Sequence, residues 1–108
     1  MKNKLLSLGS VVTTGNDNTM IMIDGYAIKN DIDGKIYDYT GVVFPIGTDL
    51  KELKLFNRSD VRDVLFVGFQ TKGSKEYLKA IDTFISNVRA GKSMEEASKI
   101  LAQSININ

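Results

Sequence analysis

The 108-residue chain has no cysteine, no histidine, no tryptophan and a single proline. Without cysteine no disulfide can form, which fits the reducing cytoplasm. Without histidine the commonest general base is missing, and a Ser-His-Asp triad cannot be assembled. The two absences together remove the usual zinc ligands and the best side-chain nucleophile. Carboxylate catalysis or a Ser-Lys pair stays chemically open. The expectation is nonetheless a chain that is not an enzyme and that holds no metal and no cofactor.

Charge of one sign is also scarce. The net charge is +1, with acids placed among the lysines and arginines. No basic stripe can neutralise a row of phosphates, so nucleic acid is not an expected partner. No basic run flanks an apolar helix, so no membrane surface is expected either. Leu5, Leu6 and Leu8 are interrupted by Ser7 and followed by Gly9, which leaves no signal-peptide core. No apolar run approaches the roughly 20 residues of a membrane span.

The remaining composition, 43% hydrophobic and 25% charged, is that of an ordinary globular chain. One α+β domain over 1–108 is expected, with strands and loops over 6–70 and two helices over 74–103. Residues 6–14, 19–29 and 35–44 read as strands, and 53–56 as a short extended piece. Gly15-Asn16-Asp17-Asn18 is a turn cluster, and a loop follows Pro45 through Gly47 and Asp49. Ser59 or Asn57 is placed to cap a helical turn over 59–63. Residues 64–69 (Val64, Leu65, Phe66, Val67, Gly68, Phe69) are apolar on both faces and predict a central strand.

Asp33-Gly34 suits a two-residue type I′ hairpin turn. From that turn Lys29 would face Asp38, Ile28 would face Tyr39, Tyr26 would face Gly41 and Ile23 would face Phe44. One sheet face would then carry Met22, Tyr26, Ile28, Tyr37, Tyr39 and Val43. The other would carry Ile23, Gly25, Ala27, Thr40, Val42 and Phe44, and its small residues invite a covering helix. That helix is expected over 74–90, with Tyr77, Leu78, Ile81, Phe84, Ile85 and Val88 as its apolar stripe and Gly91 as its stop. Ser93-Met94-Glu95-Glu96 predicts the cap of a second helix reaching about Gln103, with a fraying tail from Ser104 to Asn108. The sheet so formed is small and antiparallel, of about four to five strands, with the helices packed on one face.

Two motif look-alikes fail on spacing. Gly91-Lys92-Ser93 imitates the end of a phosphate-binding loop, yet Ser86 stands where its first glycine belongs and a helix precedes it. Asp31-Ile32-Asp33-Gly34 resembles a calcium loop, yet Lys29 and Thr40 would occupy its first and last ligand positions. Among the central acids Asp24, Asp38, Asp60 and Asp63, the structural reading is a salt bridge, a cap or a turn, and the catalytic one is a small hydrolase. The Tyr- and Met-rich face suits protein binding, with Met22, Tyr26, Tyr37 and Tyr39 as candidate partner-binding residues. The same face also reads as core beneath the loop of residues 46–60.

Six sequence pieces carry a family resemblance: Leu6-Ser7-Leu8-Gly9-Ser10-Val11-Val12, Met22-Ile23-Asp24-Gly25, Tyr37-Asp38-Tyr39-Thr40-Gly41, Phe44-Pro45-Ile46-Gly47, Phe56-Asn57 with Asp60-Val61, and Val64-Leu65-Phe66-Val67-Gly68-Phe69. In this order the chain resembles domain-of-unknown-function family 4176, small proteins of Gram-positive bacteria. Ser7 departs from the pattern, where proline is expected, and should loosen the approach to the first strand. The resemblance implies a setting in type VII secretion loci beside toxins with the LXG targeting domain. It therefore implies a cytoplasmic protein-binding role, as chaperone or targeting adaptor for such a toxin, or as the immunity protein that neutralises it. It carries no catalytic residues.

Overall fold

The computed structural model describes residues 4–15, 17–48 and 53–105. Asn16 of the predicted turn, Asp49 of the predicted loop and the tail beyond Ile105 lie outside them. The described elements, in chain order, are β1 (Val11–Thr14), β2 (Ile21–Lys29), β3 (Ile36–Val43), β4 (Lys54–Phe56), a 3-10 turn (Arg58–Asp60), β5 (Val61–Phe66), α1 (Lys72–Arg89) and α2 (Met94–Ser104). The five strands form one antiparallel sheet in the order β4-β3-β2-β1-β5. This is the expected α+β architecture of a small sheet followed by two helices.

The helices follow their sequence signals. Thr71 caps α1 by accepting from the Ser74 amide at 2.9 Å, and the Ser74 hydroxyl returns the bond through the Thr71 amide at 2.8 Å. Gly91 ends α1 with φ +103°, the left-handed conformation that glycine adopts cheaply. Ser93 caps α2 by accepting from the Glu96 amide at 3.1 Å. The cap reading of Gly91-Lys92-Ser93 is thus the one that the fold uses. Ile81, Phe84 and Ile85 of α1 are buried against Ile21, Ile23, Tyr39 and Phe56 of the sheet. Each such side chain contributes about 1.5–3 kcal/mol on burial.

The β2–β3 hairpin departs from the expected register. The loop is wider than the two residues predicted: Asn30 closes on Lys35 at 2.9 Å, and the Gly34 amide donates to the Asn30 carbonyl at 2.8 Å. The Asn30 and Asp33 side chains each accept from the amide two residues on, at 2.8 and 2.9 Å. These local bonds make a wider turn more favourable than the type I′ form. Tyr26 therefore pairs with Tyr39, Ile28 with Tyr37 and Lys29 with Ile36. The predicted Lys29–Asp38 pair does not form.

A second irregularity decides which face is core. The register shifts between Ile23 and Gly25, so Asp24 is an extra residue in β2. Alternation changes phase there. Ile21 and Ile23 before the bulge and Tyr26 after it then share the core side with Tyr39. The expectation that α1 covers the face opposite Tyr39 is overturned: Tyr39 is 0% exposed and packs between Tyr26 and Phe56, with ring centroids 6.0 and 5.3 Å away.

The run 64–69 is also placed differently. It is not a central strand. β5 begins earlier, at Val61, lies at the sheet edge beside β1, and ends at Phe66. Two register shifts against β1, between Val11 and Val12 and between Thr13 and Thr14, break its alternation. Only Val61 and Val64 then reach the core, and the neighbouring apolar residues stay exposed.

Candidate protein-binding surface

The segments before β1 and after β5 are tied together by small polar side chains. The Ser7 hydroxyl donates to the Gly68 carbonyl at 2.9 Å, and the Gly68 amide donates to Ser10 Oγ at 3.0 Å. Both serines are buried. Ser7 therefore fixes the approach to β1, contrary to the loosening expected where the family pattern has proline. Gly68 permits the contact: a Cβ there would stand 1.9 Å from the Leu8 carbonyl oxygen.

Two tyrosines hold the same N-terminal segment from the sheet side. Tyr39 Oη accepts from the Leu6 amide at 2.9 Å, and Tyr26 Oη donates to the Leu6 carbonyl at 2.6 Å. Burial pushes both phenols above the ordinary tyrosine range, and for Tyr26 the push is large. Both therefore stay neutral and serve as hydrogen-bonding groups.

The result is a strip of chain, residues 65–69 with Leu8 beside Gly68, whose large apolar side chains stay exposed. Leu65 and Phe66 on the edge strand are 53% and 60% exposed, Phe69 just beyond is 85% exposed, and Leu8 across from Gly68 is 55% exposed. Beside the strip lies a pocket of about 390 Å³ lined by Leu8, Phe69, Tyr26, Tyr77 and Leu78, with Ser7, Thr71 and Ser74 at its polar margin. Leu8 and Phe69 meet at this pocket, and apolar side chains exposed together at a concavity suit protein binding, whereas single ones carry no meaning; Phe66 pairs with Val11 and so stands on the sheet face away from Tyr39. The arrangement offers shape and apolar contact, with no reactive group at its centre.

A second, larger cleft of about 1010 Å³ runs between β3, the 3-10 turn and the end of α1, and its walls include Lys35, Tyr37, Asp38, Asn57, Arg58 and Arg89. Four of its polar residues, Asp38, Asn57, Arg58 and Arg89, bond to one another. Asp38 is 2% exposed and accepts from the Arg58 amide at 2.8 Å and from Arg58 Nε at 3.1 Å. Arg89 Nη1 reaches the same carboxylate at 3.1 Å, and Arg58 Nη2 reaches Asp82 on α1 at 2.9 Å. Burial works against the Arg58 charge, but hydrogen bonds to Asp82 and Asp38 outweigh it and raise the pKa, so the guanidinium stays charged. This cluster braces the end of α1 against the sheet.

The other central acids also have structural partners. Asp24 accepts from Thr40 Oγ1 at 2.6 Å, Asp60 accepts from the Asn57 amide at 2.8 Å, and Asp63 accepts from Thr13 Oγ1 at 3.0 Å. Among the described residues no three Asp or Glu side chains gather to hold a metal ion. No helix among the described residues is long and apolar enough to cross a membrane.

The four residues singled out from the sequence are not brought together. Tyr39 is core, and Tyr26 forms the inner wall of the smaller pocket. Tyr37 stands on the larger cleft with its hydroxyl donating to Asp33 at 2.5 Å, and Met22 is half-buried between Val11 and Val42 on the neighbouring strands. Sequence reasoning missed Leu8, Leu65, Phe66 and Phe69 as a surface. The signal was present in the run 64–69, apolar on both faces; it marked an edge strand whose apolar residues stay largely exposed.

No curated protein and no solved structure matches the chain. The profile of a protein family, described as Domain of unknown function (DUF4176), matches residues 5–77, well over half the chain, and the chain belongs to that family.

Proposed function

We propose that the chain is a non-catalytic protein-binding module that acts in the cytoplasm as a chaperone or targeting adaptor for an LXG-type toxin exported by type VII secretion. The observation that carries the protein-binding part is the pair of exposed apolar residues Leu8 and Phe69 at a preformed pocket. The absence of His and Cys and the structural engagement of Asp24, Asp38, Asp60 and Asp63 support a non-catalytic role. The choice of partner rests on the genomic setting that the family resemblance implies.

The test is co-expression of the tagged chain with the LXG toxin encoded beside it, followed by capture. The toxin's N-terminal targeting domain and its C-terminal toxic domain are also supplied separately. Retention of the targeting domain is the expected result. Retention of the toxic domain alone, with protection from killing, would establish the immunity role instead. Retention of neither domain refutes both.

A further inference from the structure

The charge around the apolar strip is one-sided. The strip and its pocket are built mainly from residues 4–11 and 64–78, and Glu76 is the one acid in these two stretches. These stretches carry Lys4, Lys72 and Lys75, whereas the whole chain has a net charge of only +1. All three lysines are exposed. Lys72 and Lys75 alternate along the first turn of α1 with the pocket residues Thr71 and Ser74, and that turn has no acidic residue. Asp63 stands one position before the second stretch. No ion pair joins Lys4, Lys72 or Lys75 to an acid among the described residues.

The sheet edge itself is a poor template. A partner strand added to β5 would need a continuous row of free backbone groups, and the two bulges interrupt that row. Recognition here must come from side chains.

We infer that the Leu8–Phe69 pocket takes one large apolar side chain from an acidic segment of a partner protein, with Lys72 and Lys75 pairing its flanking carboxylates. The inference rests on the protein-binding reading above and names the chemistry of the partner. An anionic lipid surface shares the apolar and acidic character. A concave pocket is nonetheless suited to a discrete side chain, whereas insertion into lipid calls for a projecting apolar face.

The test uses the full-length, isotope-labelled chain and two peptides, acetyl-Glu-Glu-Leu-Phe-Glu-Glu-amide and its counterpart with lysine in place of every glutamate. Expected on titration are amide shifts at Leu8, Phe69, Ser74 and Tyr77, with the acidic peptide binding about tenfold more tightly. Phe69→Ala, at an exposed position, should weaken it about fivefold, and K72E/K75E should reverse the preference between the peptides. Absence of shifts at these amides, or equal affinity for both peptides, overturns the inference. Sedimentation with phosphatidylserine vesicles but not phosphatidylcholine vesicles, without peptide binding, assigns the surface to lipid and also overturns it. Toxin capture by wild type that survives Phe69→Ala and K72E/K75E leaves the protein-binding reading intact and removes this site from it. Peptide binding without toxin capture does the reverse.

Discussion

Gly68→Ala is the sharpest test of how the apolar strip is held. A Cβ at position 68 would lie 1.9 Å from the Leu8 carbonyl oxygen, 2.9 Å from the Leu8 carbonyl carbon and 3.0 Å from the Gly9 carbonyl carbon. All three are backbone atoms, so no rotamer change relieves the clash. The 66–69 segment must move away from residues 7–10 by more than an ångström. That movement breaks the two hydrogen bonds through which Ser7 and Ser10 hold Gly68. Each is worth about 0.5–1.5 kcal/mol net, and more where a buried partner is left unsatisfied. Overpacking adds about 1–3 kcal/mol.

The expected loss is therefore about 2–6 kcal/mol, read as a lower urea midpoint at unchanged slope and a melting temperature down by roughly 10 °C or more. Gly73→Ala is the control. Its Cβ would meet nothing nearer than Thr71 Oγ1 at 3.9 Å, and the residue is helical. It should stabilise the chain by up to about 1 kcal/mol. If Gly68→Ala unfolds at the same urea concentration as Gly73→Ala, the close approach of the two segments is wrong, and the strip loses its geometry with it.

Three further outcomes follow from named contacts. Asp38→Asn should cost about 2–3 kcal/mol in urea unfolding, because it leaves the guanidinium of Arg58 half-compensated near the sheet; an unchanged midpoint would show that Asp82 alone suffices to hold it. Tyr39→Phe removes the acceptor of the buried Leu6 amide and should cost about 1–3 kcal/mol, visible also as faster hydrogen exchange at Leu6. Tyr26 and Tyr39 have folded-state pKa values raised above the unfolded value of 10.0, chiefly by burial. Their contribution to stability is thus complete below about pH 10 and is lost as pH rises through the folded values. Ultraviolet tyrosinate absorbance should show these two phenols ionising late and together with unfolding, and early, reversible titration of all four tyrosines would contradict their burial.

The helices were legible because their signals are local: Ser93 as a cap, Gly91 as a stop, and the stripe from Tyr77 to Val88; the Thr71 cap, which starts α1 two residues before the expected 74, was not read. The sheet was legible in its strands but not in its pairing. Two features changed it. The side chains of Asn30 and Asp33 close a wider turn than the Asp33-Gly34 pair suggests, and this moves the register by two residues. The extra residue at Asp24 then moves it by one more and changes the phase of alternation. A displacement of two preserves which side each residue faces, whereas a displacement of one reverses it. That single bulge is why Tyr39, expected beside Met22 on the face opposite the helix, is core. Nothing in the residues around Asp24 announces it, since its partner Thr40 is distant in sequence.

The run Val64–Phe69 was misread for a related reason. Residues apolar on both faces indicate a strand with neighbours on each side only if the chain buries them, and β5 has its free edge and two bulges instead. The exposure that remains is not spread evenly over the chain. Every pocket-lining residue except Leu78 falls within residues 5–77, the part that the family profile matches. The brace on the other cleft is different: Asp38 and Arg58 lie inside that span, but Asp82 and Arg89, which complete it, lie beyond. The pocket's residues thus lie within the matched span apart from Leu78, and the brace's lie half inside it. The brace secures this chain's own α1 against the sheet, and the pocket is the surface on which the proposed binding role depends.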